Sequence, residues 1–283
     1  MSITARALLV EHNISVWTAN KLDKNATNVV ISQNCAADKA AQVRKNLMAG
    51  SSQRKDIADF AAGCRLWHNT KTLPWANSGA RMLPTSMFMD YKQELNDRKA
   101  QFDSMVSQFL IDYPQLVQIS QNYLGSLFNA DDYPHVEEVA EKFGYRFVFS
   151  PVPDSGHFAL DVASEELNDL REQYEADFST RVNDAMKDAW TRLHKTLTGM
   201  SEKLTDAPDE KKRRFHDTFI TNAQDLCGLL SHLNVSNDPD LEQARRGLET
   251  ALLGTDVDVI KDSEYARGEL KAKVDSVLSQ FEW

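Results

Sequence analysis

Apolar residues recur at steps of three and four over residues 163–205: Leu167, Leu170, Tyr174, Phe178, Val182 and Ala185, then Ala189, Leu193, Leu197, Met200 and Leu204. Glu165, Glu166, Asp169, Glu172, Glu175, Asp188 and Lys195 fill the positions between them. This is one apolar stripe on an otherwise charged helix. No proline or internal glycine precedes Gly199, so the pattern predicts a rod on the order of 60 Å long at about 1.5 Å per residue. A rod of this kind needs packing partners along its whole length. The mean step is roughly 3.7 residues, longer than the 3.5 of a left-handed coiled coil, and predicts a bundle instead of a leucine zipper.

The chain before the rod alternates between types of pattern. Residues 8–17 end in an alternation, with Ile14 and Val16 on one face, that predicts a strand. Residues 23–34 are polar and give no element, whereas residues 38–49 read as a short helix. A second helix, capped by Ser52, reaches about His68 with Ile57, Phe60, Ala61, Cys64 and Trp67 inward. Thr72-Leu73-Pro74-Trp75 and Met82-Leu83-Pro84 read as extended pieces around a turn. A long amphipathic helix then starts at Thr85 or Ser86, is kinked or restarted by Pro114, and continues through Leu116, Tyr123 and Leu127. These segments are expected as antiparallel companions of the rod.

Pro134 opens a short helix that Gly144 is expected to close in a left-handed cap. Tyr145-Arg146-Phe147-Val148-Phe149 and His157-Phe158-Ala159-Leu160-Asp161-Val162 are β-prone runs separated by turn residues, so a β-hairpin is expected over residues 144–162. The Leu8 strand could join it into a small sheet. After the rod, Asp206-Ala207-Pro208 starts one helix and Asn237-Asp238-Pro239 another, the latter ended by Gly254, and a last helix is expected over residues 257–280. The fold class expected is mainly α: one elongated bundle of long antiparallel helices over residues 1–283, with a small β-hairpin or sheet element.

Composition narrows the function classes. The 283 residues carry 42 acidic and 32 basic side chains, a formal net charge of −10. That field opposes general binding to nucleic acid or an anionic membrane. Three scattered cysteines, Cys35, Cys64 and Cys227, fit a reducing compartment better than a disulfide framework. No run of about 18 apolar residues occurs, and the expectation is a soluble cytoplasmic protein without membrane association.

Candidate chemistry is sparse. The chain has no phosphate-binding glycine loop, no dinucleotide fingerprint, no HExxH, no CxxC and no GxSxG. Cys64 and His68 stand four apart on one predicted helix, a spacing open to two metal ligands, but no further ligands follow at a recognised spacing. They read as a structural cysteine and a surface histidine. Asp131, Asp132, Glu137, Glu138 and Glu141 could hold a hard cation, yet read as a solvated face. Asp154 and His157 beside the hairpin turn have no nucleophile signalled nearby and read as loop polarity. No catalytic, cofactor-binding or metal residue is therefore assigned, and no cofactor is expected. Lys211, Lys212, Arg213 and Arg214 form the one dense basic run and are the candidate nucleic-acid contact. Trp67, Trp75, Phe147, Phe149 and Phe158 could stack on bases, but strand and helix aromatics usually belong to a core.

Three stretches resemble a family of uncharacterised phage and mobile-element proteins: Leu9-Val10-Glu11-His12-Asn13-Ile14-Ser15-Val16-Trp17 followed by Lys21; Phe147-Val148-Phe149-Ser150-Pro151-Val152-Pro153 leading into Phe158; and Leu229-Leu230-Ser231-His232-Leu233-Asn234-Val235-Ser236-Asn237-Asp238-Pro239-Asp240-Leu241. The resemblance extends in order and spacing along nearly the whole chain and departs most over residues 35–75. It implies a phage setting near recombination functions and a MoxR-type, cobaltochelatase-like AAA ATPase as a partner. It carries no active-site residue. Length without a catalytic motif suits a non-enzymatic interaction or scaffold protein, an adaptor of the ATPase or a homo-oligomer. Pro151, Val152, Pro153 and Phe158 are the expected partner contacts. The alternatives are an inhibitor of a host defence or repair enzyme through acidic helices, and an accessory protein of phage DNA recombination.

Overall fold

The computed structural model describes residues 3–76, 79–153, 164–205, 218–281 and 283. In chain order the strands are β1 (Ala7–Ser15), β2 (Asn20–Leu22), β3 (Arg44–Asn46), β4 (Leu73–Pro74), β5 (Ala80–Pro84) and β6 (Gly144–Pro151). The helices are α1 (Lys24–Gln33), α2 (Gln53–Lys71), α3 (Phe88–Leu124), α4 (Val136–Ala140), α5 (Ser164–Leu204), α6 (Thr218–Leu233), α7 (Pro239–Leu252), α8 (Val257–Asp262) and α9 (Glu264–Gln280). The protein is mainly helical with a small sheet of order β4-β5-β1-β6 and a separate β2-β3 pair. Of the expected hairpin over 144–162, the first strand is β6, next to β1 in the sheet; its second strand, 157–162, lies outside the described residues.

Contacts group the chain into two units, where the pattern alone had suggested a single helical body over 1–283. Unit 1 comprises Met1–Glu11, Asn69–Asp90 and Val148–Trp283, and unit 2 comprises His12–His68 and Tyr91–Phe147.

In unit 1, α5 contributes Val182, Ala185, Met186, Ala189, Leu193 and Leu197 to a core completed by α6, α7 and α9. Among the described side chains the stripe is buried from Val182 onward; Leu170, nearer the start of α5, is 38% exposed, and Tyr174 and Phe178 between them are half-buried. Asp238 caps α7, accepting from the backbone N–H of Asp240 and Leu241, and its other carboxylate oxygen accepts from Trp190 Nε1 at 2.9 Å. Gly247 is needed for close approach, because a Cβ there would lie 2.9 Å from Val277 Cγ2 of α9. The expected last helix is two, since Ser263 ends α8 and caps α9 through the N–H of Ala266. Within the sheet, Ala7 opposes Pro84 and Glu11 opposes Ala80 across the antiparallel β1-β5 pair, and Leu73 opposes Met82 in β4-β5. Arg192 on α5 donates to the carbonyls of Asn69, Thr70 and Thr72, satisfying groups left open where α2 ends.

Unit 2 departs further from the pattern. Residues 38–49 form no helix, and residues 44–46 are β3. The helix lies instead in the preceding polar stretch, as α1. In α2, Ile57, Ala61, Cys64 and His68 are buried at steps of four, three and four. α3 runs through Pro114 without interruption, 37 residues in all, and buries Tyr91, Leu95, Phe102, Phe109, Tyr113 and Leu116. Gly144 does not adopt a left-handed conformation. It starts β6, where a Cβ would meet Ser15 Oγ at 2.8 Å.

Candidate functional site

The expected partner contacts divide. Pro151 and Pro153 are exposed, but Val152 is 3% exposed and belongs to the unit 1 core, so Val152 serves the interior and not a contact surface. The Pro153 carbonyl accepts from the Tyr174 hydroxyl at 2.7 Å, which ties this stretch to α5. Phe158, Asp154, His157 and the basic run Lys211, Lys212, Arg213 and Arg214 lie outside the described residues. Of the aromatics weighed as stacking platforms, Trp75 packs on Phe178 at 5.4 Å and Phe149 on Phe88 at 5.2 Å, both within unit 1.

In the acidic stretch Asp131, Glu137, Glu138 and Glu141 are exposed, as a solvated face requires, and Asp132 alone enters an ion-pair staple. Lys45 of β3 is buried; its ammonium pairs with Asp132, lies 3.4 Å from Asp23, and donates to the Leu127 carbonyl at 2.8 Å. Asp132 also lies 3.7 Å from Lys21. The Lys45 pKa is pushed up, chiefly by its bond to Asp132. The Asp23 carboxyl is held below its usual range, first by the N–H of Ala26, which it caps, and also by Lys45. No group of three or more His, Cys, Asp or Glu among the described residues is arranged to hold a metal ion.

Around Cys64 and His68, sequence spacing found two members of a larger buried group. His68 is 5% exposed and not a surface residue. Its Nδ1 is hydrogen-bonded to the Tyr91 hydroxyl at 2.6 Å. His12 of β1 meets the His68 ring edge-on at 4.8 Å between centroids and Tyr145 at 4.9 Å. Trp67 stacks on Tyr91 at 4.7 Å, with the Arg98 guanidinium 4.6 Å from the Trp67 centroid. Both ring nitrogens of His12 are buried without a hydrogen-bond partner. Its pKa is lowered to about 4, first by desolvation and then by the charges of Arg65 and Arg98. Burial and the two guanidinium charges together disfavour the imidazolium at His12.

The surface feature with the clearest local design is α1, which sequence pattern did not find. Asp23 caps its start, and Thr27 Oγ1 donates to the Asp23 carbonyl at 2.6 Å and accepts from Val43 N–H at 3.0 Å. At its end, Ala36 N–H bonds the Ile31 carbonyl at 3.0 Å and Cys35 N–H the Ser32 carbonyl at 3.3 Å, the two bonds of a Schellman motif, with Cys35 at φ 47°. Ala26, Thr27, Val30 and Ile31 are half-buried, while Asn25, Asn28, Val29, Ser32 and Gln33 face outward. No residue of α1 is fully buried. A helix of ten residues is marginal in water without packing, and this one has only a shallow seat in its own unit.

No helix among the described residues is long and apolar enough to cross a membrane. The three cysteines are free, Cys35 exposed and Cys64 and Cys227 buried. Comparison of the chain with protein-family models, with curated proteins and with solved structures gave no match.

Proposed function

We propose that this chain is a non-enzymatic interaction protein, a helical scaffold that acts by holding other protein surfaces during phage infection. One observation carries the reading: α1 is capped at both ends yet leaves Val29 52% exposed and buries none of its residues fully. Firm capping of an uncovered helix is what a docking element requires, because the partner then meets a preformed surface and little ordering entropy opposes binding. The family resemblance adds a partner class, an AAA ATPase of the MoxR type, and leaves room for a second copy of the chain.

Affinity capture of the tagged chain from infected cells, with mass spectrometry and sizing of the eluate, tests this. The expected result is a stoichiometric protein partner, or a second copy, that is lost from the Val29→Glu variant. Recovery of the chain alone as a monomer would overturn the reading.

A further inference from the structure

We propose that Ser86 is an activated nucleophile, with His232 as its base, that accepts an acyl group from a thioester or a donor with an equally good leaving group. This modification site is separate from the interaction reading above. The first observation is the pair itself: Ser86 Oγ and His232 Nδ1 are hydrogen-bonded at 3.0 Å although 146 positions apart in the chain, and both side chains are exposed. Both residues belong to unit 1. A serine hydroxyl is a weak nucleophile until a base within this reach takes its proton.

The second observation is how the chain holds Ser86. Thr85 gives both its N–H and its Oγ1 to the Arg6 carbonyl, at 2.7 and 3.0 Å, which clamps the helical turn Thr85–Met87 that runs directly into the 37 residues of α3. No side chain caps this turn, so the N–H of Ser86, ahead of the first helical hydrogen bond, is left for an outside acceptor such as an oxyanion. The third observation is the polarity of the two helix ends. Ser86 lies at an amide end, which favours a negative oxygen, and His232 lies in the last turn of α6, whose carbonyl end suits a ring receiving a proton. Ser86 Oγ then attacks the donor's carbonyl carbon while its proton passes to Nδ1, a step that requires the tautomer protonated on the other ring nitrogen. The C–S bond breaks, the imidazolium returns the proton to the departing thiolate, and an ester on Ser86 and a free thiol remain. Among the described residues no carboxylate is bonded to His232 to orient the ring. The pair is therefore suited to a thioester and not to an amide, whose leaving group is far poorer.

Incubation of the full-length chain with S-acetyl-N-acetylcysteamine, a small acetyl thioester, followed by peptide mapping in a mass spectrometer, tests the proposal. Ser86 should gain an acetyl group. Ser231, also exposed but with its hydroxyl donating to the Gly228 carbonyl, should not, and this comparison needs no variant. Exchange at the exposed thiol of Cys35 is separated by the map. His232→Gln should slow acylation of Ser86 by roughly a hundredfold, and Ser86→Ala should remove the site, with far-UV circular dichroism checking that the helices persist in both. An unmodified Ser86 under conditions that acetylate surface lysines overturns the proposal. So does equal modification of Ser86 and Ser231, or an unchanged rate at Ser86 in His232→Gln.

Discussion

Units 1 and 2 are built from the same element, the long amphipathic helix, and differ in what their interiors contain. In unit 1, α5 meets α6, α7 and α9 through Ala185, Ala189, Leu193, Leu230, Ala244 and Val274, an interior of aliphatic side chains with small residues where helices come close. Unit 1 also buries a charged group, Arg245, which Glu242 and Glu249 hold from neighbouring turns of α7. In unit 2, α2 and α3 enclose His12, Cys64, His68, Tyr91 and Tyr145, and Lys45 is buried among carboxylates. Aliphatic packing is indifferent to pH and tolerant of small shifts. Buried polar groups specify particular neighbours and bring a dependence on protonation. The two units should therefore respond to different perturbations.

The largest effects come from removing buried volume. Phe102→Ala in unit 2 and Leu193→Ala in unit 1 remove side chains exposed by no more than 1% and should each cost about 2–5 kcal/mol, read by denaturant unfolding. The contrast lies in repair. Leu193→Met should recover most of the loss, since volume is what unit 1 requires. Phe102→Leu should recover less, because the Phe102 ring also packs against Tyr145 at 5.5 Å. Equal recovery in both would show that the polar interior imposes no stricter geometry.

Acid should separate the units next. The His12 pKa in the folded state, about 4, lies below its ordinary 6.5, so between these values the unfolded chain binds the extra proton. Stability is then complete above about pH 6.5 and falls as pH drops toward 4. Glu242 is held at about 2 against an ordinary 4.5, first by its bond to Arg245. Its contribution is present above about pH 4.5 and is lost as pH drops toward 2. Unit 2 should thus be strained by mild acid and unit 1 by strong acid. His12→Phe should flatten the stability profile between pH 6.5 and 4, and Glu242→Gln should flatten only the lower window at a cost of about 0.5–1 kcal/mol. A His12→Phe profile identical to wild type would remove the histidine from the account.

Legibility in the sequence followed the same division. The α5 stripe, the Asp238-Pro239 start of α7 and the β4-β5 pair are local patterns, with period, cap and turn written within a few residues, and they were read where they lie. Unit 2 was harder because its decisive contacts are distant. His12 and His68 are brought together only when β1 and α2 pack, and Cys64 with His68 at four-residue spacing hinted at the group without its other members. Residues 38–49 read as a short helix, yet 44–46 pair with the distant β2 as β3, where Lys45 also meets Asp132 and Asp23. α1 was missed because its apolar positions are few and its asparagines disfavour helix interiors. The signal that could have found it was Asp23, a capping residue ahead of Ala26, Val30 and Ile31. Val152 was misplaced because turn chemistry on both sides suggested exposure, whereas the residue follows β6 into the unit 1 core.

The smallest effect concerns α1 itself and isolates its local design from any partner. Cys35 occupies the position of the Schellman motif where the backbone is left-handed, with φ 47°. A side chain with a Cβ is strained there, and glycine is the residue that helices ordinarily place at this point. Cys35→Gly relieves that strain but also gives the unfolded chain more freedom, so the net gain should be about 0.5–1 kcal/mol. Hydrogen exchange at the Ala36 amide, which bonds the Ile31 carbonyl, should slow in proportion. Because Cys35 lies beyond the outward residues Asn28, Val29 and Ser32, that face should change little while the helix end is firmed. Faster exchange at Ala36 would instead mean that the Cys35 side chain contributes more to the helix end than its backbone strain costs, and that the cap depends on contacts beyond its own two hydrogen bonds.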